Sequence, residues 1–342
     1  MPLAKAADYR IGTLGSHSAL QIFKGAHDEG FKTTAICMKG RERLYSEVYG
    51  ELVDKILLVG TFKDYAKVQD EVVRDNTILV PHGSFVQHLG IDQNKRIRAH
   101  YFGNRAVLDW EADRLKQQEW MQRARLRLPK VFRSSEDIDR PAIIKMYGAA
   151  GGKGYFFCRD PEDFEEQKSR IPPAGYQIQE YIIGNTAYIH YFYSPLDGKL
   201  EIMSIDRRYE TNVDSLGRIP LRNQRGLQID PSFVVIGNYS LVLRESLLQE
   251  AYEMGERVVA ASKKIAGPKG LFGPFCLETV VTPDMQFYTI EISARIVAGT
   301  NIFIDGSPYT ALKYGVPMST GRRIAREIKN AISAERLDEV LG

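Results

Sequence analysis

Short apolar runs alternate with amphipathic segments over the first 130 residues of the chain. Residues 9–40 carry a strand–turn–helix–strand pattern, and the apolar runs "KILLVG" and "TILVPHG" follow at residues 55–60 and 77–83. Helical patterns such as "FKDYAKVQDEVVRD" lie between these runs. Strands that alternate with helices along a chain usually pair in parallel, because each helix returns the chain to the same end of the sheet. The pattern therefore predicts a parallel α/β domain.

A long helical pattern over residues 105–126 and a turn-rich segment after it end this domain, and the boundary is expected near Lys130. Beyond it β-rich segments dominate, among them "PAIIKM", "GYFFC", "YQIQEYII", "AYIHYFYS" and "LEIMSIDRRYE". An amphipathic helix is predicted over residues 246–265, two strands follow at "PFCLETVV" and "FYTIEISARIV", and a last helix begins near Ser319. The fold class is α/β: a parallel α/β domain, residues 1–130, followed by an α+β region, residues 131–342.

Composition and charge remove several classes of function. The 342 residues suffice for two or three domains, and a net charge of +3 without a basic stripe argues against nucleic acid. The densest basic run, "RRIAREIK", is predicted to be the solvated face of a helix. Cys37, Cys158 and Cys276 lack the spacing of a disulfide framework or zinc site and are interpreted as buried apolar residues. No signal-peptide pattern or membrane-length apolar run is present, so we expect a cytoplasmic protein without membrane contact.

The stretch "KMYGAAGGKGYF", residues 145–156, is rich in glycine and lysine and follows a buried strand pattern. It lacks both the Walker A order and the GxGxxG order. Two interpretations stay open. A glycine-rich flap can lay backbone N–H groups over phosphates, with Lys145 as a cation from the strand. Alternatively, the stretch is a flexible hairpin whose lysine extends to solvent.

Two glutamates near the carboxyl end predict a metal site. A four-residue hairpin loop at "PDMQ" would pair Thr282 with Phe287 and set Glu278 opposite Glu291 on one sheet face. Opposed carboxylates repel, and a hard cation such as Mg²⁺ would relieve the repulsion. Arg295 falls on the same face and could hold a transferring phosphoryl group. The alternative is a solvated strand face with a Glu–Arg pair.

Two strand-to-helix turns in the first domain predict a ligand crevice. "GTLGSHSA" places His17 at one turn, and "PHGSF" places Ser84 at the other. The carboxyl ends of parallel strands form the crevice in which α/β domains bind ligands, and helix N-termini there favour an anion such as a sugar phosphate. His17 is a candidate ligand contact or proton carrier, and the alternative is a capping residue.

The ordered set of motifs resembles the ATP-grasp superfamily, and within it the archaeal formate-dependent AICAR (5-aminoimidazole-4-carboxamide ribotide) ligase family. The resemblance spans nearly the whole chain. It rests on "GTLGSHSALQIFKGAHDEGF", "PHGSF", "NRAVLDWEADR", "IIKMYGAAGGKGYF", "IQEYIIGNTAYIHYFYS", "IDRRYETN", "VVIGNYSLVLRESLL", "GPFCLET" and "YTIEISARIVAGTN". It implies an ATP-grasp region made of two α+β subdomains, about 131–205 and 206–342, after the N-terminal domain.

The resemblance also implies an activity in purine biosynthesis. ATP and formate would give formyl phosphate, which the 5-amino group of AICAR would attack, leaving the formylated ribotide, ADP and phosphate. Glu278 and Glu291 would bind Mg²⁺ or Mn²⁺, and Arg295 and Lys145 would act in catalysis. The implied AICAR contacts are His17, Ser84 and Asn238. The implied ATP site comprises Lys145, Gly151, Gly152, Lys153, Glu180, Tyr181, Ile182, Ile183 and Glu210. Members of the family often form homo-oligomers, which we expect here.

Two departures from the family pattern are visible. Ala150 stands in the flap where a basic residue is expected, and Ser293 stands where many ATP-grasp enzymes carry a metal-binding asparagine. Two other functions therefore stay open at this point. The chain could be an ATP-grasp ligase for another carboxylate and amine, or a nucleotide sensor without catalysis. Intact Glu278, Glu291, Lys145 and Arg295 argue against the sensor.

Overall fold

The structure is a computed structural model that describes residues 5–146, 155–171, 175–210, 212–224 and 234–342, without the side chains of residues 213 and 214. Gly151, Gly152, Lys153 and Ala150 of the glycine-rich stretch lie outside the described residues. Among the residues that are described, no helix combines the length and the apolar character needed to cross a membrane.

The first sheet has five parallel strands in the order β3-β2-β1-β4-β5, as the alternating pattern predicted. Its strands are β1 Arg10–Leu14, β2 Lys32–Met38, β3 Lys55–Val59, β4 Thr77–Leu79 and β5 His100–Tyr101. The helices between them are α1 Ala19–Asp28, α2 Gln69–Arg74 and α3 Ile91–Lys95. Gly30, with a φ of 84°, follows the end of α1 and adopts the left-handed conformation that glycine tolerates. β1 and β4 are central neighbours, so their carboxyl ends lie side by side.

The predicted long helix over residues 105–126 is in fact two helices, α4 Arg105–Ala112 and α5 Arg114–Arg123. Asp113 between them is extended, with φ −106° and ψ 117°, and its carboxylate accepts hydrogen bonds from the N–H groups of Leu115 and Lys116. The aspartate therefore begins a new helix instead of continuing the old one, because capping satisfies N–H groups that have no partner within the helix.

The second sheet has four antiparallel strands in the order β6-β9-β7-β8. They are β6 Val131–Phe132, β7 Ala142–Met146, β8 Tyr155–Cys158 and β9 Tyr176–Glu180, and α6 Pro161–Gln167 covers one side. A separate apolar cluster, which includes Ile144, Phe156 and Phe164, forms its core. The sheet therefore has a small core of its own, and Lys145 lies on its middle strand β7.

The third sheet has five antiparallel strands in the order β12-β11-β10-β13-β14. They are β10 Asn185–Tyr193, β11 Leu200–Glu210, β12 Val235–Ser240, β13 Gly273–Val281 and β14 Phe287–Ser293, with helices α7 Val213–Leu216, α8 Leu221–Gln224 and α9 Glu245–Ile265. The change from the second sheet to the third lies between β9 and β10. The predicted division at residues 205/206 instead falls inside β11, because the β-rich patterns do not show which strands pair.

One face of the third sheet is apolar and packs on helices. Ile189, Leu277 and Ile292 on that face share a core with Val258 of α9. Trp120 of α5 is buried there and donates its indole N–H to the Val258 carbonyl oxygen at 3.1 Å. Helices α5 and α9 therefore cover this face, and the opposite face of the sheet is left for the polar side chains described below.

The carboxyl-terminal helices are α10 Pro308–Ala311 and α11 Thr320–Ser333, and Ser319 caps α11 as predicted. The basic run of α11 is not a solvated face. Arg322 and Arg326 each bind the buried carboxylate of Glu29 at the end of α1, and Arg323 is itself buried. The prediction was wrong because a basic stripe looks the same in sequence whether it faces water or a single buried acid.

Candidate active site

A row of polar side chains crosses four strands of the third sheet. Tyr188 pairs with Asp206 on one side and with Glu278 on the other, and Glu278 pairs with Glu291. Residues directly opposite each other in an antiparallel sheet point to the same face. Asp206, Tyr188, Glu278 and Glu291 therefore project together from the face that α9 does not cover, and the predicted opposition of the two glutamates is confirmed.

The strand pairing in the hairpin that joins β13 and β14 differs from the predicted pairing, although it sets the same two glutamates opposite each other. Val281, not Thr282, pairs with Phe287, which alone would have offset the glutamates by one residue. A β-bulge between Glu278 and Thr279 shifts the register back. A bulge inserts one unpaired residue and turns the side chains beyond it to the other face, so it restores the glutamate pair.

The two glutamates make a site that fits a divalent cation. Glu291 is open to solvent on one side and ringed by protein on the others. Desolvation by this surrounding protein and the neighbouring Glu278 carboxylate raise its pKa from 4.5 to about 7. Among the described residues no set of three acidic, histidine or cysteine side chains is arranged to hold a metal ion. Mg²⁺ is commonly held by one or two carboxylates together with phosphate oxygens and water, so a pair of carboxylates suits it.

Lys145 of β7 faces the same two carboxylates across the cleft. Burial lowers the pKa of Lys145, and Glu278 and Glu291 act in the opposite direction. Arg114, the first residue of α5, interacts electrostatically with Lys145, and its Nη1 is buried with no hydrogen-bond partner among the described residues. Sequence reasoning missed Arg114, although it ends the quoted motif "NRAVLDWEADR". Lys145 from the second sheet thus interacts with the glutamate pair, and Arg114 from α5 interacts with Lys145.

Arg295 follows β14 and reaches the cleft from a buried position. Its Nη2 binds the Glu111 carboxylate of α4 at 3.0 Å, and the other oxygen of Glu111 accepts the Ala294 N–H at 2.8 Å. The Nε of Arg295 is buried without a hydrogen-bond partner among the described residues. Glu111 therefore orients the guanidinium, and one buried N–H remains for a ligand. The helical pattern around Glu111 gave no sign of this role.

The two predicted turns of the first domain meet. The Ser16 and Ser84 hydroxyl groups are hydrogen bonded at 2.7 Å, which joins the turn after β1 to the turn after β4. His17 has a φ of 57°, a left-handed conformation that is uncommon for residues other than glycine. The carbonyl oxygen of His17 accepts a hydrogen bond from the Asn301 amide at 3.0 Å, which ties the turn to the segment after β14.

His17 is stacked on His82, a residue that sequence reasoning passed over within "PHGSF". The ring centroids are 5.2 Å apart and the ring planes are 2° from parallel. Desolvation by burial, with a contribution from His82, lowers the pKa of His17 from 6.5 to about 2. The lowered pKa favours the neutral ring near pH 7, which can form hydrogen bonds. The glycine at position 83 leaves room for the His17 ring, because a Cβ at that position would lie 2.7 Å from the His17 Nε2.

Asn238 of β12 lies beside the polar row, half-buried. Its amide Nδ2 donates to the Asp206 Oδ2 at 2.6 Å, and the other oxygen of Asp206 lies 2.5 Å from the His190 Nε2. Asp206 and His190 are both completely buried.

The segment after β9 lines an open cavity of about 250 Å³. Glu180, Tyr181, Ile182 and Ile183 line one side, and Thr282 and Tyr288 of the β13–β14 hairpin line another. The Glu180 N–H donates to the Lys130 carbonyl and the Tyr181 N–H to the Pro141 carbonyl. Glu210 at the end of β11 interacts electrostatically with Tyr181. Of the predicted ATP residues that the structure describes, Glu180, Tyr181, Ile182 and Ile183 line this cavity beside the glutamate hairpin, whereas Glu210 and Lys145 are not among its lining residues.

Two arginines connect the glutamate pair to the turns of the first domain. Arg208 lies 3.6 Å from Glu278, with its guanidinium 3.7 Å from the centre of the Tyr188 ring. Arg208 and Arg295 both act electrostatically on Glu291 and on His17. The carboxylates on the third sheet, the cation on the second and the turns of the first domain thus form one continuous polar site.

Two family models match the chain. One is described as a domain of unknown function (DUF1297) and covers residues 171–342, and the other as a protein of unknown function (DUF1246) and covers residues 11–132. Neither description states an activity.

Individual relatives carry more specific names. A Pyrococcus abyssi protein named 5-formaminoimidazole-4-carboxamide-1-(beta)-D-ribofuranosyl 5'-monophosphate synthetase is 52% identical, and the match covers 97% of this chain and 98% of the relative. A crystal structure of an IMP biosynthesis protein PurP from Thermococcus kodakaraensis has a TM-score of 0.77 and 31% identity over 97% of this chain and 100% of that one. An ADP complex of purK, N5-carboxyaminoimidazole ribonucleotide synthetase, has a TM-score of 0.69 at 14% identity over 96% of this chain and 79% of that one, which shows a shared fold alone.

Proposed function

The chain belongs to the family of 5-formaminoimidazole-4-carboxamide-1-(beta)-D-ribofuranosyl 5'-monophosphate synthetases, and from this we propose that it joins formate to the 5-amino group of AICAR in a reaction driven by ATP. Its fold is the α/β ATP-grasp fold with an N-terminal parallel α/β domain, as predicted. One observation of the structure supports the proposal most directly. Arg208 and Arg295 link the Glu278–Glu291 pair to the His17 turn, so a phosphate donor and a ribotide can meet in one cleft.

ATP is proposed to lie between the second and third sheets. The cavity at Glu180–Ile183 takes the adenine, with Ile182 and Ile183 supplying the backbone groups, because the N–H groups of Glu180 and Tyr181 are engaged elsewhere. Glu210, beside Tyr181, is placed for the ribose. The phosphates then extend towards Lys145, with Gly151, Gly152 and Lys153 of the flap as further proposed contacts.

The metal that the family implies would be held by Glu278 and Glu291, whose mutual repulsion a divalent cation relieves. Bound there, Mg²⁺ would neutralise charge on the ATP phosphates during transfer. Lys145 of the second sheet and Arg114 at the start of α5 add positive charge, and the unpaired Nε of Arg295 adds a donor beside the carboxylates. These groups stabilise a phosphoryl group without changing their own protonation.

The ribotide is proposed to lie against the first domain. Ser84, joined to Ser16, and the neutral ring of His17 supply hydrogen bonds at the carboxyl ends of β1 and β4. Anions are favoured there, because α1 begins shortly after the carboxyl end of β1 and a helix N-terminus attracts negative charge. Asn238 reaches the same ligand from the third sheet, where Asp206 holds its amide.

The proposed reaction has two steps. First, a formate oxygen attacks the γ-phosphorus, the bond to the β–γ bridging oxygen breaks, and ADP leaves. Second, the 5-amino nitrogen attacks the formyl carbon, the carbon–oxygen bond to phosphate breaks, and the nitrogen loses one proton. Phosphorylation is needed because formate has no good leaving group, whereas phosphate is one. Formyl phosphate hydrolyses easily, so the site must exclude water while it exists.

The proposal is tested by phosphate release from ATP and Mg²⁺ with formate or AICAR omitted in turn. We expect full release only with both substrates and a product that carries one formyl group. Release that needs neither substrate, or that another carboxylate supports equally well, would reject the proposed reaction. The second outcome would favour a ligase for a different pair of substrates.

A further inference from the structure

The amide of Asn238 is held by a buried carboxylate that has a second buried partner. Asp206 accepts from Asn238 through Oδ2 and contacts the His190 Nε2 through Oδ1. The Nδ1 of His190 is buried and has no hydrogen-bond partner among the described residues. A proton on that nitrogen would leave a buried donor unsatisfied, so the neutral tautomer with hydrogen on Nε2 is favoured. Asp206 therefore accepts a hydrogen bond from each neighbour, one through each of its two oxygens.

This arrangement decides which way the Asn238 amide faces. Because both oxygens of Asp206 act as acceptors, the NH₂ group of the amide, and not its oxygen, faces Asp206. The Asn238 Oδ1 is then turned away from Asp206, and no hydrogen bond among the described residues uses it. If the amide flipped, two oxygens would stand within hydrogen-bond distance without a hydrogen between them. The side chain thus presents an acceptor.

We infer that Asp206, supported by His190, is a positioning residue that fixes Asn238 with its oxygen towards the substrate. This point of the cleft then accepts an N–H group of the ribotide and disfavours a carbonyl or carboxylate oxygen. The inference rests on the proposed function, because that function makes Asn238 a contact of the ribotide. AICAR offers two such N–H groups, the 5-amino group and the 4-carboxamide.

Specificity of this kind is strong when the site cannot adapt. A buried acceptor left without its donor loses a hydrogen bond, and a fixed acceptor facing another oxygen adds repulsion. In the wild-type protein we expect at least one of two analogues to bind about tenfold or more weakly than AICAR. These analogues are the 4-carboxylate ribotide and the ribotide that has hydrogen in place of the 5-amino group.

Two substitutions should relax this preference. In Asp206→Asn the new amide can donate or accept, so Asn238 can turn. Gly299→Ala removes no hydrogen-bonding group, but its Cβ would lie 2.4 Å from the Asp206 Oδ1 and must displace that carboxylate. Thr279→Val is the matched control, because Thr279 is buried in the same sheet and its hydroxyl donates to the Ala187 carbonyl at 2.7 Å, away from the polar row.

The measurement is titration calorimetry of AICAR, the two analogues and ATP, each alone. In Asp206→Asn and Gly299→Ala we expect the preference for AICAR over the weaker analogue to fall about tenfold, with ATP affinity unchanged. Thr279→Val should keep the preference even if it lowers the melting temperature.

The inference is overturned if the wild-type protein binds both analogues as tightly as AICAR. It is also overturned if Asp206→Asn and Gly299→Ala keep the wild-type preference, or if they lose AICAR and ATP affinity equally. The analogue comparison in wild type stands even if Asp206→Asn does not fold. If wild-type protein does not bind AICAR at all, the proposed function fails with the inference. If wild-type protein turns over AICAR but fails the analogue comparison, the inference alone fails.

Discussion

Replacing Glu291 by glutamine should make the ligand-free protein more stable and the enzyme nearly inactive. The pKa of Glu291 is raised from 4.5 to about 7 by desolvation and by Glu278. Between these values the folded protein binds more protons than the unfolded chain, so stability falls as pH rises through this window and is lowest above pH 7. Glutamine carries no charge and removes this penalty.

The size of the effect follows from the pKa difference of about 2.5, which corresponds to about 3.4 kcal/mol at about 1.36 kcal/mol per pKa unit. Water reaches Glu291 on its open side and screens the repulsion, so we reduce the expected gain to about 1–2 kcal/mol at pH 8. As pH falls towards 4.5 and below, the difference between the two proteins should shrink, because Glu291 is then protonated in the folded chain and increasingly in the unfolded chain as well.

Urea unfolding at pH 4.5, 6 and 8, with and without Mg²⁺ and ADP, measures this prediction, and phosphate release measures turnover. With Mg²⁺ and ADP the order should reverse, since wild type gains ligand binding that Glu291→Gln lacks. Glu250→Gln, on an exposed position of α9, is the control and should change neither quantity. A variant with the same pH dependence as wild type, or with near-normal turnover, would refute the reasoning about the carboxylate pair.

Three further outcomes are expected. Lys145→Ala should weaken ATP binding at least tenfold and leave AICAR binding unchanged, because the Lys145 cation lies beside the proposed phosphates. Calorimetry with each ligand alone measures this, and an equal loss of ATP and AICAR affinity would contradict the placement of Lys145. Glu111→Gln should lower the free energy of unfolding in urea by about 3 kcal/mol and should lower kcat, because Arg295 loses its buried ionic partner. An unchanged kcat would show that the Arg295 guanidinium does not need Glu111 to orient it. Gly25→Ala should destabilise the folded protein by about 1–3 kcal/mol and leave ATP affinity unchanged, because the new Cβ would lie 2.2 Å from the Arg322 backbone nitrogen. A melting temperature equal to that of the wild type would contradict this close packing of α1 on α11.

The parallel sheet was predictable because its signal is local. Each strand is a short apolar run between turn residues, and the helices between the strands force parallel pairing. The boundary between the second and third sheets was not predictable in the same way. β9 and β10 are both β-rich and only a few residues apart, and nothing in either strand states which neighbour it pairs with.

The opposition of Glu278 and Glu291 was predicted correctly only because two differences between the predicted and the observed hairpin cancel. The predicted loop was one residue out, and the bulge next to Glu278 corrected the register. Bulges depend on how a strand is bent by its neighbours, which a hairpin sequence alone does not show. The pairing of charges was the more reliable signal, because two glutamates on neighbouring strands need a reason to face each other.

The partners of the site residues could not be predicted because they are distant along the chain. Glu111 and Arg114 looked like ordinary charges on a helical pattern, yet Glu111 binds Arg295 and Arg114 interacts with Lys145, because the junction of α4 and α5 lies against the third sheet. His82 looked like part of a turn, and it supports the ring of His17. Spacing identifies which residues share a strand face, but it does not show which element covers that face.

Three titratable groups of the cleft have unfavourable surroundings in the ligand-free protein. Glu291 faces a second carboxylate, burial lowers the pKa of Lys145, and the protein packed around the His17 ring lowers the pKa of that histidine. In the proposed complex each of these costs has a matching ligand group. A divalent cation lies between the carboxylates, phosphate faces the lysine, and a neutral heterocycle faces the histidine. The site is therefore built for the bound state, and stabilising substitutions within it should reduce activity.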